Sequence, residues 1–169
     1  MPEKETIERA HRDAEEGKSP STQAGEFVRE EMHHIREGEH GAASTKQAIA
    51  IGLSKARRAG VKLSQPSGPG TSARTRKQAK RDSAKGRQGN GSKPSRTRSV
   101  AVSKALKREG HSAASAASLS RQAKSVARRR GSQARSASAR RAVRTKGSSE
   151  LRRSARKAAA SRKGRDRSR

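Results

Sequence analysis

Large apolar residues are concentrated in the first third of the chain, where their spacing predicts two amphipathic helices. Over residues 22–37, one helical face collects the apolar residues Ala24, Phe27, Val28, Met32 and Ile35. Over residues 45–59, a second apolar face contains Ala48, Ile49, Gly52, Leu53, Ala56 and Ala59. Capping signals support the second helix, because Ser44 and Gln47 have capping-box spacing and Gly60 suits a C-terminal cap.

Together the two helices predict a helical hairpin domain over residues 21–63. Its expected core consists of Val28, Met32, Ile35, Ile49 and Leu53. Gly52 lies on the apolar face, where the missing side chain allows a partner helix to approach closely. Val61 and Leu63 are expected to fold back onto the hairpin. A domain of this size is marginally stable alone, so we expect a homodimer through the hairpin, with Ile51 either a contact or a lone exposed apolar residue.

Three further regions flank the predicted hairpin. Residues 1–20 form an acidic arm with a short polar helix over 2–17, and residues 64–95 read as a basic linker rich in Gly, Pro and Ser. The basic tail, residues 96–169, is built from Ala, Ser, Arg and Lys with weak internal repeats. Glycines divide it into segments of roughly 16–20 residues: Gly110, Gly131, Gly147 and Gly164.

Large apolar residues are scarce after residue 63, with only seven in 106 positions. Burying all seven would contribute roughly 10–20 kcal/mol, whereas ordering the backbone costs about 1–2 kcal/mol per residue. Low hydrophobicity combined with high net charge is typical of disordered segments. We therefore expect a mostly α protein with extensive disorder: a small helical hairpin, and a tail of nascent or isolated helices without a globular core.

Charge is distributed very unevenly along the chain. Residues 1–40 contain 11 acids and six Lys/Arg, a net charge of −5, whereas residues 41–169 contain 37 Lys/Arg and four acids, a net charge of +33. Such a surface repels itself unless a polyanion neutralises it, which indicates a nucleic acid as partner. Sequence-independent contacts to phosphate are expected from Lys55, Arg57, Arg58, Arg128, Arg129, Arg130, Arg140, Arg141, Arg144, Lys146, Arg152, Arg153, Arg156, Lys157, Arg162 and Lys163.

We expect DNA rather than RNA as this partner, in a histone-like, nucleoid-associated role in the cytoplasm. An RNA-binding or ribosome-associated protein and a protein-interaction module are the alternatives that the sequence leaves open. Base stacking is nearly excluded, because the chain has no Trp or Tyr and its single Phe lies on the apolar helix.

Motifs for other chemistry are absent from the sequence. The chain has no Cys, no nucleophile motif, no phosphate-binding loop and no apolar run of membrane-spanning length. We therefore expect no enzymatic activity, no catalytic residue, no cofactor, no small-molecule substrate and no membrane partner.

Histidines and glutamates near residues 30–40 have one suggestive spacing. Glu30/His33 and Glu31/His34 are each three residues apart, as in di-metal helical bundles. Because such sites need several helices that converge on a dry core, we expect a solvated polar face here and no metal site.

The stretch STKQAIAIGLSKARRAG, residues 44–60, resembles the signature of a family of small basic bacterial proteins. Residues 37–41, EGEHG, fit the same pattern. The resemblance covers about residues 25–63 and implies a bacterial origin and a conserved domain of unknown function, often followed by a tail rich in Lys, Arg and Ala. In composition, the tail also resembles the C-terminal arms of linker histones and bacterial histone-like proteins, with more Ser and Arg and less Pro.

Overall fold

The structure, a computed structural model, describes residues 2–68, 70–89 and 95–166, without the side chains of residues 145 and 161–166. Over this part of the chain the fold is all helical. The elements in chain order are α1 (Lys4–Glu15), α2 (Pro20–Arg36), α3 (Thr45–Arg58), α4 (Ala73–Gln88), α5 (Arg96–Lys107), a 3₁₀ turn (Ser112–Ala114) and α6 (Ala116–Asp166). The residues group into two compact units, 1–122 and 123–169, so α6 begins in the first unit and continues in the second.

The expectation of extensive disorder is wrong, because helix continues through most of the described chain. Large apolar side chains are scarce in this part of the chain, but two other contributions stabilise its helices. Alanine, arginine and lysine favour helix intrinsically, and small residues allow helices to pack closely without large side chains. The described part of the tail is regular helix in α5 and α6, and α6 has non-helical dihedral angles only at Gly131 and Gly147 within its described range.

The two predicted amphipathic helices are confirmed as α2 and α3, which pack against each other. The close approach expected at Gly52 is also confirmed: a Cβ atom there would lie 2.8 Å from Val28 Cα. Ser44 caps α3 by accepting a hydrogen bond from Gln47 N at 3.2 Å. Gly60 has a φ of 94°, a left-handed conformation that suits the end of a helix.

Two apolar clusters hold the first unit together. One combines buried Met32, Ile35, Ala42, Ala48, Ala113 and Ala114, with Val28, Ile49 and Leu119 packed against it. The other combines buried Ala10, Ala24, Phe27 and Ala56, with Ile7, Leu53, Ala59, Val61 and Leu63 at its edge. Leu53 and Ile49 thus lie in different clusters, and α1 supplies part of the second. The unit is larger than the predicted two-helix hairpin.

The expected linker contains a helix that packs on α3. Ser72 caps this helix, α4, by accepting a hydrogen bond from Thr75 N at 3.1 Å. Ala79 and Asp82 are buried, and Gly86 lies so close to α3 that a Cβ atom there would overlap the carbonyl oxygen of Arg57. The small residues Ala79 and Gly86 therefore allow a polar, basic helix to pack against α3.

The start of the basic tail also belongs to the first unit. The Gly41 and Ala42 amides donate to the carbonyls of Leu106 at 2.9 Å and Gly110 at 3.1 Å. Thr45 Oγ1 donates to Ala113 O at 2.7 Å, and Arg36 Nε donates to Ala114 O at 2.9 Å. Residues 106–114 are thereby tied to α2, α3 and the loop between them.

The sequence predicts that four glycines divide the basic tail. Two of them interrupt α6 in the structure. Gly131 and Gly147 have φ values of 70° and 74°, which only glycine adopts without strain. Gly164 lies inside the helix, and Gly110 precedes the 3₁₀ turn. Arg135 bridges the first interruption by donating to Ala127 O at 2.8 Å, which satisfies a carbonyl near the helix break.

Alanine substitution at two glycines should test the close α2–α3 contact. We expect Gly52→Ala to destabilise the protein by about 1–3 kcal/mol, because the added methyl meets the α2 backbone and forces a shift. Gly25→Ala, an exposed α2 position with open space around it, should instead stabilise by about 0.5–1 kcal/mol. Urea unfolding followed by circular dichroism measures both, and stabilisation by both substitutions would contradict the packing.

Candidate functional site

Lys55, predicted to contact phosphate, is engaged inside the first unit. Its ammonium lies 3.2 Å from Glu30 Oε1 and 2.8 Å from Glu31 Oε2, and both carboxylates are almost completely buried. Burial alone would lower the pKa of Lys55, but the Glu31 and Glu30 carboxylates raise it overall. The ammonium thus remains charged and joins α3 to α2.

The other two basic residues predicted on α3 also have internal partners. Arg57 is 8 % exposed and reaches the carbonyls of Leu53 at 3.5 Å and Ser64 at 3.4 Å. Arg58 Nε donates to Asp82 Oδ1 at 2.7 Å, and Asp82 is 1 % exposed. These guanidinium groups fix the end of α3 and the position of α4.

The remaining predicted phosphate contacts lie on α6. Their described side chains are exposed: Arg128, Arg129, Arg130, Arg140, Arg141, Arg144, Lys146, Arg152, Arg153, Arg156 and Lys157. Arg153 also lies 3.5 Å from Glu150 Oε2. The side chains of Arg162 and Lys163 fall outside the described atoms. Residues 123–169 contain 18 Lys/Arg and two acids, a net charge of +16, so the structure gathers the predicted cations on one strongly basic helical segment.

A second basic surface lies on α4, where the sequence argument expected only linker. Seven Lys/Arg of this helix have exposed side chains: Arg74, Arg76, Lys77, Lys80, Arg81, Lys85 and Arg87. The capping pair Ser72 and Thr75, followed by 16 residues without Pro, is the signal that would have indicated this helix.

The expectation of a solvated polar face is wrong for three of the four residues that suggested it. Glu31 is fully buried, Glu30 is 4 % exposed and His34 is 9 % exposed, whereas the side chain of His33 is 65 % exposed. His34 and Glu31 come together with His40, from the loop after α2. One ligand atom from each lies within 4.8 Å of the others. We call Glu31, His34 and His40 the glutamate–histidine cluster.

Hydrogen bonds orient both histidines of the cluster. His40 Nδ1 lies 3.1 Å from Gly41 O, and its Nε2 lies 3.4 Å from Glu31 Oε1. His34 Nε2 lies 3.1 Å from Glu3 Oε1, and its Nδ1 lies 3.7 Å from Glu39 Oε2. The hydrogen bond from His34 lowers the pKa of Glu3. The cluster is therefore a set of oriented, mostly buried groups.

Comparison with known sequences supplies a family for part of the chain. Residues 18–66 match a family of unknown function, DUF6496. The matched segment contains α2, α3 and the loop between them, which is less than a third of the chain. Residues 18–66 thus form a domain of unknown function, which agrees with the domain that the sequence analysis expected over about residues 25–63. No curated protein and no solved structure matches the chain significantly.

Among the described helices, no segment is both long and apolar enough to cross a lipid bilayer.

Replacing Lys55 by methionine should show how strongly the first unit depends on its buried ion pairs. We expect Lys55→Met to destabilise the protein by about 3–5 kcal/mol, because it leaves two buried carboxylates without their cation. Lys46→Met, at an exposed position of the same helix, should change stability by less than about 0.5 kcal/mol. Urea unfolding at neutral pH measures both.

The stabilisation by the Lys55 ion pairs should also disappear at alkaline pH, where the ammonium loses its proton. The raised pKa of Lys55 means that its contribution is complete below the ordinary lysine pKa of about 10.4 and is lost as the pH rises through the higher folded-state value. Stability curves of the wild type and Lys55→Met should therefore converge at high pH. A constant gap between them would contradict the charge-based explanation.

Proposed function

We propose that the protein binds double-stranded nucleic acid, DNA in preference to RNA, through sequence-independent phosphate contacts of α6. The observation that carries the proposal is the concentration of exposed Arg and Lys along this helix. Ala116–Asp166 contains 17 Lys/Arg and two acids, and the 14 Lys/Arg over residues 121–157 have exposed side chains. A duplex carries about one negative charge per 1.7 Å of its axis. The closely spaced cations of α6 can therefore contact many phosphates at once.

The arrangement of the arginines favours phosphate contact over the reading of bases. Arg128, Arg129 and Arg130 are consecutive, so they point to different sides of the helix. A recognition helix instead presents a few side chains from one face to the base edges. Phe27, the single aromatic residue, is 1 % exposed and so is not available for stacking on bases.

Glycine interruptions suit a helix that follows a curved polyanion. Gly131 and Gly147 change the backbone direction between the arginine groups 128–130, 140–144 and 152–156. Each group can thus meet its own stretch of phosphates. The short segments also limit the length of helix over which arginine–arginine repulsion accumulates.

Lys55, Arg57 and Arg58 have a structural role in this proposal, since their cationic groups are engaged by Glu30, Glu31, Asp82 and backbone carbonyls. The role of α6 corresponds to a histone-like, nucleoid-associated protein in the cytoplasm. It needs no cofactor and no catalysis.

Salt dependence should be the first signature of this binding. If about ten Lys/Arg engage phosphates, log K should fall against log salt concentration with a slope of about −9. Fluorescence anisotropy with a labelled duplex measures the slope, and native and scrambled duplexes should bind alike. A slope near zero, or a preference of more than about 100-fold for one sequence, lies outside what phosphate contacts explain.

Neutralising three arginines of α6 in the full-length chain should locate the contacts. Arg128→Gln, Arg129→Gln and Arg130→Gln combined should reduce the magnitude of the slope by about 2.7, or 0.9 per lost contact. The matched control combines Arg74→Gln, Arg76→Gln and Lys77→Gln on α4, and it should change the slope by less than about one. An equal loss in both variants would place the contacts along the whole chain. Equal affinity for an RNA duplex would contradict the preference for DNA.

A further inference from the structure

We propose that Glu31, His34 and His40 form a binding site for one divalent transition-metal ion, with Zn²⁺ as the best fit. The site combines one carboxylate oxygen and two imidazole nitrogens, with candidate ligand atoms within 4.8 Å of one another. Two histidines and one glutamate are a known ligand set for zinc, which completes its shell with water. Mg²⁺ and Ca²⁺ prefer oxygen ligands and suit this set poorly.

The distance between two of the ligands already fits a bound ion. Donors at about 2.0–2.1 Å from a tetrahedral Zn²⁺ lie about 3.3–3.4 Å apart. His40 Nε2 lies 3.4 Å from Glu31 Oε1. The rings of His34 and His40 meet edge to face, with centroids 6.2 Å apart and planes at 79°, and to bind a shared ion His34 must turn one nitrogen away from the carboxylate beside it.

Supporting hydrogen bonds of the kind that metal-binding histidines need are present for both rings. With Nδ1–H donating to Gly41 O at 3.1 Å, His40 keeps its Nε2 lone pair directed at Glu31. His34 has Glu3 beside Nε2 and Glu39 beside Nδ1. Whichever nitrogen of His34 binds the ion, the other keeps a carboxylate to hold its N–H, as in carboxylate–histidine–zinc sites.

Glu31 supplies the independent reason to expect a ligand. Its side chain is fully buried, and its Oε1 oxygen accepts no hydrogen bond. Lys55 Nζ lies 2.8 Å from the other oxygen, Oε2, and pairs with it. A buried carboxylate oxygen without a donor is costly, and a cation at Oε1 removes that cost.

Lys55 and the proposed ion would bind different oxygens of the Glu31 carboxylate. Lys55 approaches Oε2 from α3, whereas His40 faces Oε1. An ion at Oε1 would therefore bind Glu31 through a single oxygen and leave the Lys55 ion pair in place. Glu30, Glu31 and Lys55 together carry a net charge of −1, and the carboxylates of Glu3 and Glu39 beside His34 add the negative charge that offsets a divalent ion.

Metal binding would join α2 to the loop that follows it. Glu31 and His34 are on α2, and His40 precedes Gly41 and Ala42, whose amides donate to the carbonyls of Leu106 and Gly110. The ion would thus stabilise the contact of residues 18–66 with the end of α5 and the residues that follow it. His34 lines a surface groove of about 420 Å³ and His40 another of about 550 Å³, so each histidine borders solvent while Glu31 is fully buried.

The test uses the full-length protein, freed of nucleic acid by nuclease and high salt and of metal by a chelator. Titration calorimetry with ZnCl₂ should show one site, and a 100-fold excess of Zn²⁺ over Kd should raise Tm by on the order of 10 °C. Co²⁺ should bind at the same site and give the visible absorption of a low-symmetry cobalt centre. MgCl₂ at the same concentration should change neither quantity.

A pair of histidine variants separates this site from adventitious binding. His40→Gln should weaken Zn²⁺ by about 100-fold or more, since second-shell changes alone cost 10–100-fold. His33→Gln is the matched control, an exposed neighbour paired with Glu37, and it should bind Zn²⁺ like the wild type. Equal loss in both variants, or none in either, would overturn the proposal.

Imidazole NMR of the wild type gives a result that does not depend on a variant folding. The chain has five histidines, and Zn²⁺ should move the ring resonances of His34 and His40 while those of His11, His33 and His111 stay in place. Shifts confined to any of these last three would refute the site.

Discussion

The half-buried ammonium of Lys55 and the buried carboxylates of Glu30 and Glu31 form the interaction on which the first unit depends. Two carboxylates are withdrawn from water between α2 and α3, and such groups are tolerated only when a cation compensates them. Around them the apolar clusters are small and rich in alanine. Losing the Lys55 charge would therefore leave both carboxylates without a lysine partner in a unit with little apolar burial to offset the cost. The same ion pairs fix the register of α3 on α2, which places Gly52 against Val28.

Small residues explain how a chain so poor in large apolar side chains forms a packed unit. Gly52 and Gly86 admit the backbone of a neighbouring helix, and Gly41 lies where a Cβ atom would overlap the carbonyl of Glu109. Ala113 and Ala114 close the first cluster from the start of the basic tail. Close backbone contact shortens every distance in the interface, so dispersion and hydrogen bonds contribute where side-chain volume does not.

Local patterns predicted the fold well wherever an element carries its own signal. The apolar stripes and the Ser44 and Gly60 caps located α2 and α3 to within two residues, and glycine marked both interruptions of α6. The packing of α4 and of residues 106–114 was missed, because it depends on contacts between segments far apart in sequence. The cluster was misjudged for the same reason: the spacing of Glu31 and His34 is visible in the sequence, but their burial and their meeting with His40 are tertiary properties. The described basic side chains predicted on α6 to contact phosphate are exposed, as in a highly charged helix that leaves its side chains in water, and their contact with phosphate stays a prediction.

Left-handed glycines at 131 and 147 have a consequence for how order spreads along α6. Helix formation is cooperative because each new residue adds one hydrogen bond to an existing turn, and a residue with non-helical dihedral angles stops that propagation. The segments on either side of each glycine therefore gain or lose their hydrogen bonds separately. A fluctuation that unwinds one group of arginines leaves its neighbours helical, so opening is local rather than global. Amide exchange rates along α6 would accordingly change in steps at the two glycines instead of varying smoothly from one end to the other.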